Sequence, residues 1–127
     1  MSIKDETLLS KVAWEVRENS IVRNTKVGCA ILATNNKIYL GCNIEHDFCM
    51  SIHAEKMAIA NMLSTGKHSI VYMLIVAERQ SFMPCGSCVD WILQFASPDA
   101  WVGFQPKPTA DINWVRTTAL MPHYPKK

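Results

Sequence analysis

His53-Ala54-Glu55 and Pro84-Cys85-Gly86-Ser87-Cys88 are the two stretches on which the reading of this chain turns, with one helical and one strand-like run between them. One imidazole and two thiolates suit a borderline-soft ion such as Zn²⁺, and three protein ligands leave the fourth tetrahedral position open to water. Two thiolates offset the metal's charge while a neutral imidazole adds none, so the site is formally neutral and able to hold a hydroxide. Cys85 and Cys88 lie at i and i+3, on one side of a helical first turn, where the positive end of the helix dipole favours thiolate over thiol. His53, Cys85 and Cys88 are therefore the expected metal ligands and Zn²⁺ the expected cofactor. A closed structural site is the alternative. It needs a fourth ligand, for which Cys49, one helical turn before His53, is the nearest candidate. A Cys-x-x-Cys standing alone also reads as a redox pair.

Outward from these stretches, the residues from about Ile52 to Leu63 are strong helix formers and apolar on most faces, with Ser51 as the expected N-cap and Gly66 as the expected terminator. So apolar a helix is buried, and the end bearing His53 and Glu55 points into a cleft. Ser69 to Ala77 is a continuous run with Ile, Val and Tyr, the pattern of a central strand covered on both faces. Glu78 to Met83 reads as a polar link, Pro84 as a breaker, and Gly86 to Phe95 as the helix carrying the cysteines.

Upstream, Leu8, Leu9, Val12, Ala13 and Val16 recur with a helical period among charged residues, giving an amphipathic first helix. Two strand-like runs, Val27 to Leu32 and Ile38 to Ile44, are joined by Asn35-Asn36, which tolerates turn dihedrals. Downstream, Ala100 to Phe104 is a further short strand. Pro106-Lys107-Pro108 breaks it, and the closing segment is expected to be helical through Met121. The order helix, strand, strand, helix, strand, helix, strand, helix implies an α/β domain: a sheet with helices on its faces, and a cleft where two helix N-termini converge.

A chain of 127 residues is expected to form one domain, residues 1–127, long enough to bury a core. The net charge of +2 is small and the Lys and Arg residues are scattered, which weakens a nucleic-acid reading. Residues 1–7 have no apolar signal-like core, and the longest apolar stretch, Ile70 to Ala77, is too short to span a bilayer; a soluble, unexported protein with no membrane partner is expected. Five cysteines, an odd number, argue for reduced thiols in a cytoplasmic setting. Cys29 and Cys42 lie in apolar runs and read as small core residues. Trp14, Trp91, Trp101 and Trp114 are spread over different elements and read as core or interface packing.

His53-x-Glu55 followed by Pro84-Cys85-x-x-Cys88 resembles the signature of zinc-dependent base deaminases. Beyond it, Val27-Gly28-Cys29-Ala30 resembles the first-strand V-G-A-A of the cytidine deaminase family, and Gly41-Cys42-Asn43-Ile44-Glu45 resembles its G-x-N-x-E. Leu120-Met121-Pro122 is similar to its L-L-P. The likeness covers most of the chain and extends to blasticidin S deaminase. It implies a three-layer fold with a central mixed sheet of about five strands. It also implies Glu55 as the catalytic proton carrier rather than a ligand, and Asn43 and Glu45 as contacts to the sugar of a nucleoside substrate. The helix N-terminal amides near Ala54 and Cys85 are available to orient the base.

The resemblance thus implies hydrolytic deamination of an aminopyrimidine nucleoside, cytidine or deoxycytidine, with water as co-substrate. It further implies a homotetramer whose sites borrow groups from neighbours, with Leu120 to Tyr124 as the segment expected to reach one. Several departures bear on the substrate. His53 and Lys56 stand where small cytidine deaminases usually have Cys and Arg. Thr25 stands where an aromatic contact would lie, and Val89-Asp90 where Arg-Gln is usual. Blasticidin S or another aminated small molecule is the first alternative. A deaminase acting on transfer RNA or other nucleic acid is the second: it shares His-Ala-Glu but has P-C-x-M-C where this chain has Ser87. A non-catalytic zinc module is the third.

Overall fold

The computed structural model describes residues 1–48, 50–80 and 82–126. Its elements are α1 (Ile3–Arg17), β1 (Gly28–Ala33), β2 (Ile38–Cys42), α2 (Ala54–Leu63), β3 (Ile70–Val76), α3 (Gly86–Phe95), β4 (Ala96–Gln105) and β5 (Asn113–Arg116), followed by a 3₁₀ turn at Thr117–Ala119. The five strands form one sheet in the order β2-β1-β3-β4-β5, with β3 in the centre. β1 runs antiparallel to β2 and β3, β3 and β4 are parallel, and β5 returns antiparallel to β4. The parallel pair needs a crossover, which α3 supplies.

Alternation along the strands sorts the core into two layers. Cys29 and Ile31 of β1 and Met73 and Ile75 of β3 face the side covered by α2 and α3, where Ala58, Ile59, Met62 and Ile92 are buried. Ala30, Leu74 and Val76 face the other side, covered by Leu9 and Ala13 of α1. Because both faces of β3 are covered, it reads as an uninterrupted apolar run. Of the periodic apolar residues of α1, Leu9 and Ala13 are fully buried while Leu8 stays exposed. The β1–β2 turn uses Asn36 at a positive φ of 64°, a conformation Asn adopts more readily than most residues. Cys29 and Cys42 are buried free thiols.

Three expectations are corrected. The closing segment is not helical through Met121. Asn113-Trp114-Val115-Arg116 instead pairs with β4 from Phe104 to Trp101. Trp114 and Val115 favour a pleated surface, and the ring of Trp114 lies where a side chain on Gly103 would be, so the strand docks closely there. β4 begins at Ala96 rather than Ala100. Its register with β3 jumps from Ile70↔Ala96 to Tyr72↔Trp101, and Pro98 sits in the irregular interval, where its missing N–H breaks no ladder bond. Finally, α2 starts at Ala54 with His53, not Ser51, as its N-cap residue. Ile52 is held extended by reciprocal backbone bonds with Ile44, each 2.9 Å, which delays the helix by two positions relative to Ile52. At the other end, Gly66 takes a positive φ of 143° beyond the Ser64 cap.

Candidate metal centre and active site

The N-termini of α2 and α3 converge on one face of the sheet. His53 precedes α2 with extended dihedrals and Cys85 precedes α3 likewise, and neither side chain caps its own helix. Both are therefore free to turn toward each other. His53 Nδ1 lies 3.3 Å from Cys88 Sγ and 3.4 Å from Cys85 Sγ, and all three donor atoms fall within 4.8 Å of one another. Zinc bond lengths of about 2.0–2.1 Å to nitrogen and 2.3 Å to sulfur at tetrahedral angles put adjacent N and S donors about 3.5 Å apart. The observed separations fit such a site, and the imidazole–dithiolate donor set fits Zn²⁺. Cys49 lies outside the described residues.

Glu55, one residue into α2, is nearly fully buried. Burial raises its carboxyl above the ordinary carboxylate range. Burial, followed by the charge of Glu55, also pushes the Cys88 thiol well up. A divalent cation among these groups reverses that penalty, because a coordinating thiol is deprotonated outright.

An open cavity of about 400 Å³ lies over this cluster. Asn43, Glu45, His53, Ala54, Glu55 and Cys85 all line it, so six of the seven sequence-predicted site residues share one space. Cys88 is buried. The amide of Asn43 is already engaged at both ends: Oδ1 accepts from the Val27 N–H at 2.8 Å and Nδ2 donates to the Thr25 carbonyl at 2.9 Å. Each end retains capacity for one more bond. Glu45 Oε2 accepts from the Arg23 N–H at 3.1 Å. Asn43 and Glu45 thus also shape the wall that Thr25 completes.

Gly41 sets how closely β2 approaches α2. A Cβ at this position would collide with the Ala54 carbonyl and lie 2.5 Å from the Ala58 nitrogen, so glycine lets β2 press against the first turn of α2.

The opposite wall was missed by the sequence reading. Arg79, Phe82 and Met83 line the cavity from the segment read as a polar link. Phe82 stacks on Phe104 with ring centroids 5.3 Å apart, and the Arg79 guanidinium lies 5.7 Å from the Phe82 ring. Phe82-Met83 directly before Pro84 was the available signal, since two adjacent large apolar residues are unusual in a solvated link. The Tyr124 hydroxyl donates to Asp90 Oδ1 at 2.6 Å, which ties the closing segment to α3.

Residues 2–104 match the family described as the cytidine and deoxycytidylate deaminase zinc-binding region. The chain belongs to this deaminase family. A cytidine deaminase of Mycoplasma genitalium is 38% identical over 76 residues, 58% of each chain. One from Sporosarcina psychrophila is 36% identical over 87 residues, 65% of this chain and 64% of its own length. The chain thus spans less than two thirds of these curated relatives. A crystal structure of cytidine deaminase from Burkholderia pseudomallei superposes with a TM-score of 0.83 at 24% identity, covering 97% of this chain and 98% of that one. Its agreement shows the fold: this deaminase-family member has the expected three-layer arrangement around a five-stranded mixed sheet. No helix among the described residues is long and apolar enough to cross a membrane.

Proposed function

We propose that this protein hydrolyses the exocyclic amine of an aminopyrimidine nucleoside, cytidine or deoxycytidine, releasing ammonia and the oxo product. The observation that carries this reading is the placement of a buried carboxyl, Glu55, in one cavity with the His53–Cys85–Cys88 cluster. A zinc ion held by those three side chains supplies a Lewis acid that brings the pKa of water to about 7. Glu55 accepts a proton from the attacking water and delivers it to N3 of the ring as C4 is attacked, then takes the second proton from the new C4 hydroxyl and passes it to the departing amine, so that water supplies both protons. Burial raises its pKa, which makes it a stronger proton acceptor than an exposed carboxylate. The Ala54 N–H, in the first turn of α2 and without an intrahelical partner, orients the base. Asn43 and Glu45 hold the sugar through their unused hydrogen-bonding capacity.

The family membership and the match over residues 2–104 support reading 1–127 as one deaminase unit. A cytoplasmic setting is supported by the free thiols at Cys29 and Cys42. We further propose a homotetramer. Its support is an exposed apolar rim beside the cavity, with Ile21 and Ile52 bridged to either side of Ile44 and the exposed Phe48 and Met50 in the same loop. Light scattering at micromolar concentration checks it, and a fully active monomer would exclude shared sites.

Ammonia release from a panel of free nucleosides, nucleotides, bases, blasticidin S and RNA tests the activity. Turnover of cytidine or deoxycytidine with a zinc-loaded chain is expected. Turnover of RNA alone, or no turnover of any aminated substrate, would overturn it.

A further inference from the structure

We infer that Lys56 is a positioning residue for the metal ligands: from the first turn of α2 it holds the Ser87 turn of α3 in register with His53. This rests on the zinc reading of the site given above. Lys56 Nζ donates to Ser87 Oγ at 2.5 Å and lies 5.6 Å from the centroid of the Trp91 ring. It therefore touches α3 in two successive turns. Ser87 stands between Cys85 and Cys88, so the bond ends inside the segment that supplies both sulfurs.

That segment has little else to fix it. Cys85, Gly86 and Ser87 are exposed, and a Cβ built on Gly86 would meet nothing within 4 Å. Apart from contacts made by the ligand side chains themselves, among them that of Glu55 with Cys88, the Lys56–Ser87 bond joins residues 53–63 to residues 85–95. Zinc tolerates donor positions only within about 0.2 Å, so a tether at this point bears directly on affinity.

The test uses the full chain carrying Lys56→Met, Lys56→Arg or Ser87→Ala. Zinc affinity is measured by competition with a chromophoric chelator, and the site geometry by the thiolate-to-metal absorption of the Co²⁺-loaded protein. Lys56→Met is expected to lose about 10–100-fold in zinc affinity, the usual effect of removing a group that orients ligands, and to shift the Co²⁺ bands. Lys56→Arg restores most of the affinity, and Ser87→Ala, which keeps every charge and serves if Lys56→Met does not fold, gives a smaller loss in the same direction. Wild-type zinc affinity and an unchanged Co²⁺ spectrum in Lys56→Met, or in Ser87→Ala where the former is unfolded, would overturn the inference, even if the melting temperature fell. Failure of the unmutated chain to bind zinc would overturn the reading beneath it.

Discussion

His53 and Cys85 hold the same post in two different helices: each is the last extended residue before the first turn, with φ/ψ of −79°/151° and −66°/164°, and neither uses its side chain as a cap. An N-cap residue normally spends a side-chain oxygen on a first-turn N–H. Imidazole and thiol are poor at that task, and their release from it is what aims both at one point. The same exchange leaves the first turns of both helices without an acceptor from their N-cap side chains.

One zinc per chain is expected by metal analysis, with two sulfurs and one nitrogen from protein in its absorption fine structure. Cys88→Ser removes the metal, while Cys49→Ser keeps it. A three-sulfur site lost in Cys49→Ser would make the metal structural.

Glu55→Gln keeps the shape of a buried side chain and removes its ability to shuttle protons. Zinc content and melting temperature are expected to stay near wild type while kcat falls by about 10²–10⁴-fold. Steady-state kinetics on the zinc-loaded variant check this, and a near-normal kcat would place the proton carrier elsewhere.

Asn43→Ala cuts two bonds to the backbone of Thr25 and Val27 and leaves partly buried groups unpaired, at about 1–3 kcal/mol. Both stability and nucleoside KM are expected to suffer. Glu45→Gln retains an acceptor for the Arg23 N–H, so its defect should appear in nucleoside turnover with little change in the urea midpoint.

Gly41→Ala drives a methyl group into the Ala54 carbonyl. Overpacking of this kind costs about 1–3 kcal/mol or more. Because the collision is at the first turn of α2, zinc affinity should fall along with the denaturation midpoint. The control Gly86→Ala, whose Cβ would meet open space, should leave the midpoint nearly unchanged.

Tyr124 links the closing segment to α3, and its bond to Asp90 raises the phenol's pKa above the ordinary tyrosine value. A raised folded-state pKa means the bond contributes stability that is complete below the unfolded value of about 10 and is lost as pH rises through the folded one. The ultraviolet titration of wild type minus Tyr124→Phe should therefore show a phenol ionising above pH 10. Amide exchange over residues 122–126 should quicken at that pH, and in the variant at any pH.

The metal triad was legible because its information is local: spacing and donor type place His53, Cys85 and Cys88 without knowledge of the sheet. β3 was legible because both its faces are covered, so every position had to be apolar. β5 was not. It is four residues long, and its identity as a strand comes from pairing with β4, a partner that periodicity within 113–116 cannot reveal. The Arg79–Phe82 wall escaped for a related reason, since Phe82 owes its place to Phe104 at the far end of β4. The start of α2 shifted because Ile44, eight residues upstream of Ile52, captured the backbone first.

The donors of the metal cluster come from positions 53 and 85–88, and the whole of β3 separates them in the chain. A bound ion would tie the start of α2 to the start of α3 across β3, and would stabilise the folded chain by binding it in preference to the unfolded one. Zinc should therefore raise the urea midpoint of unfolding, and a chelator should lower it.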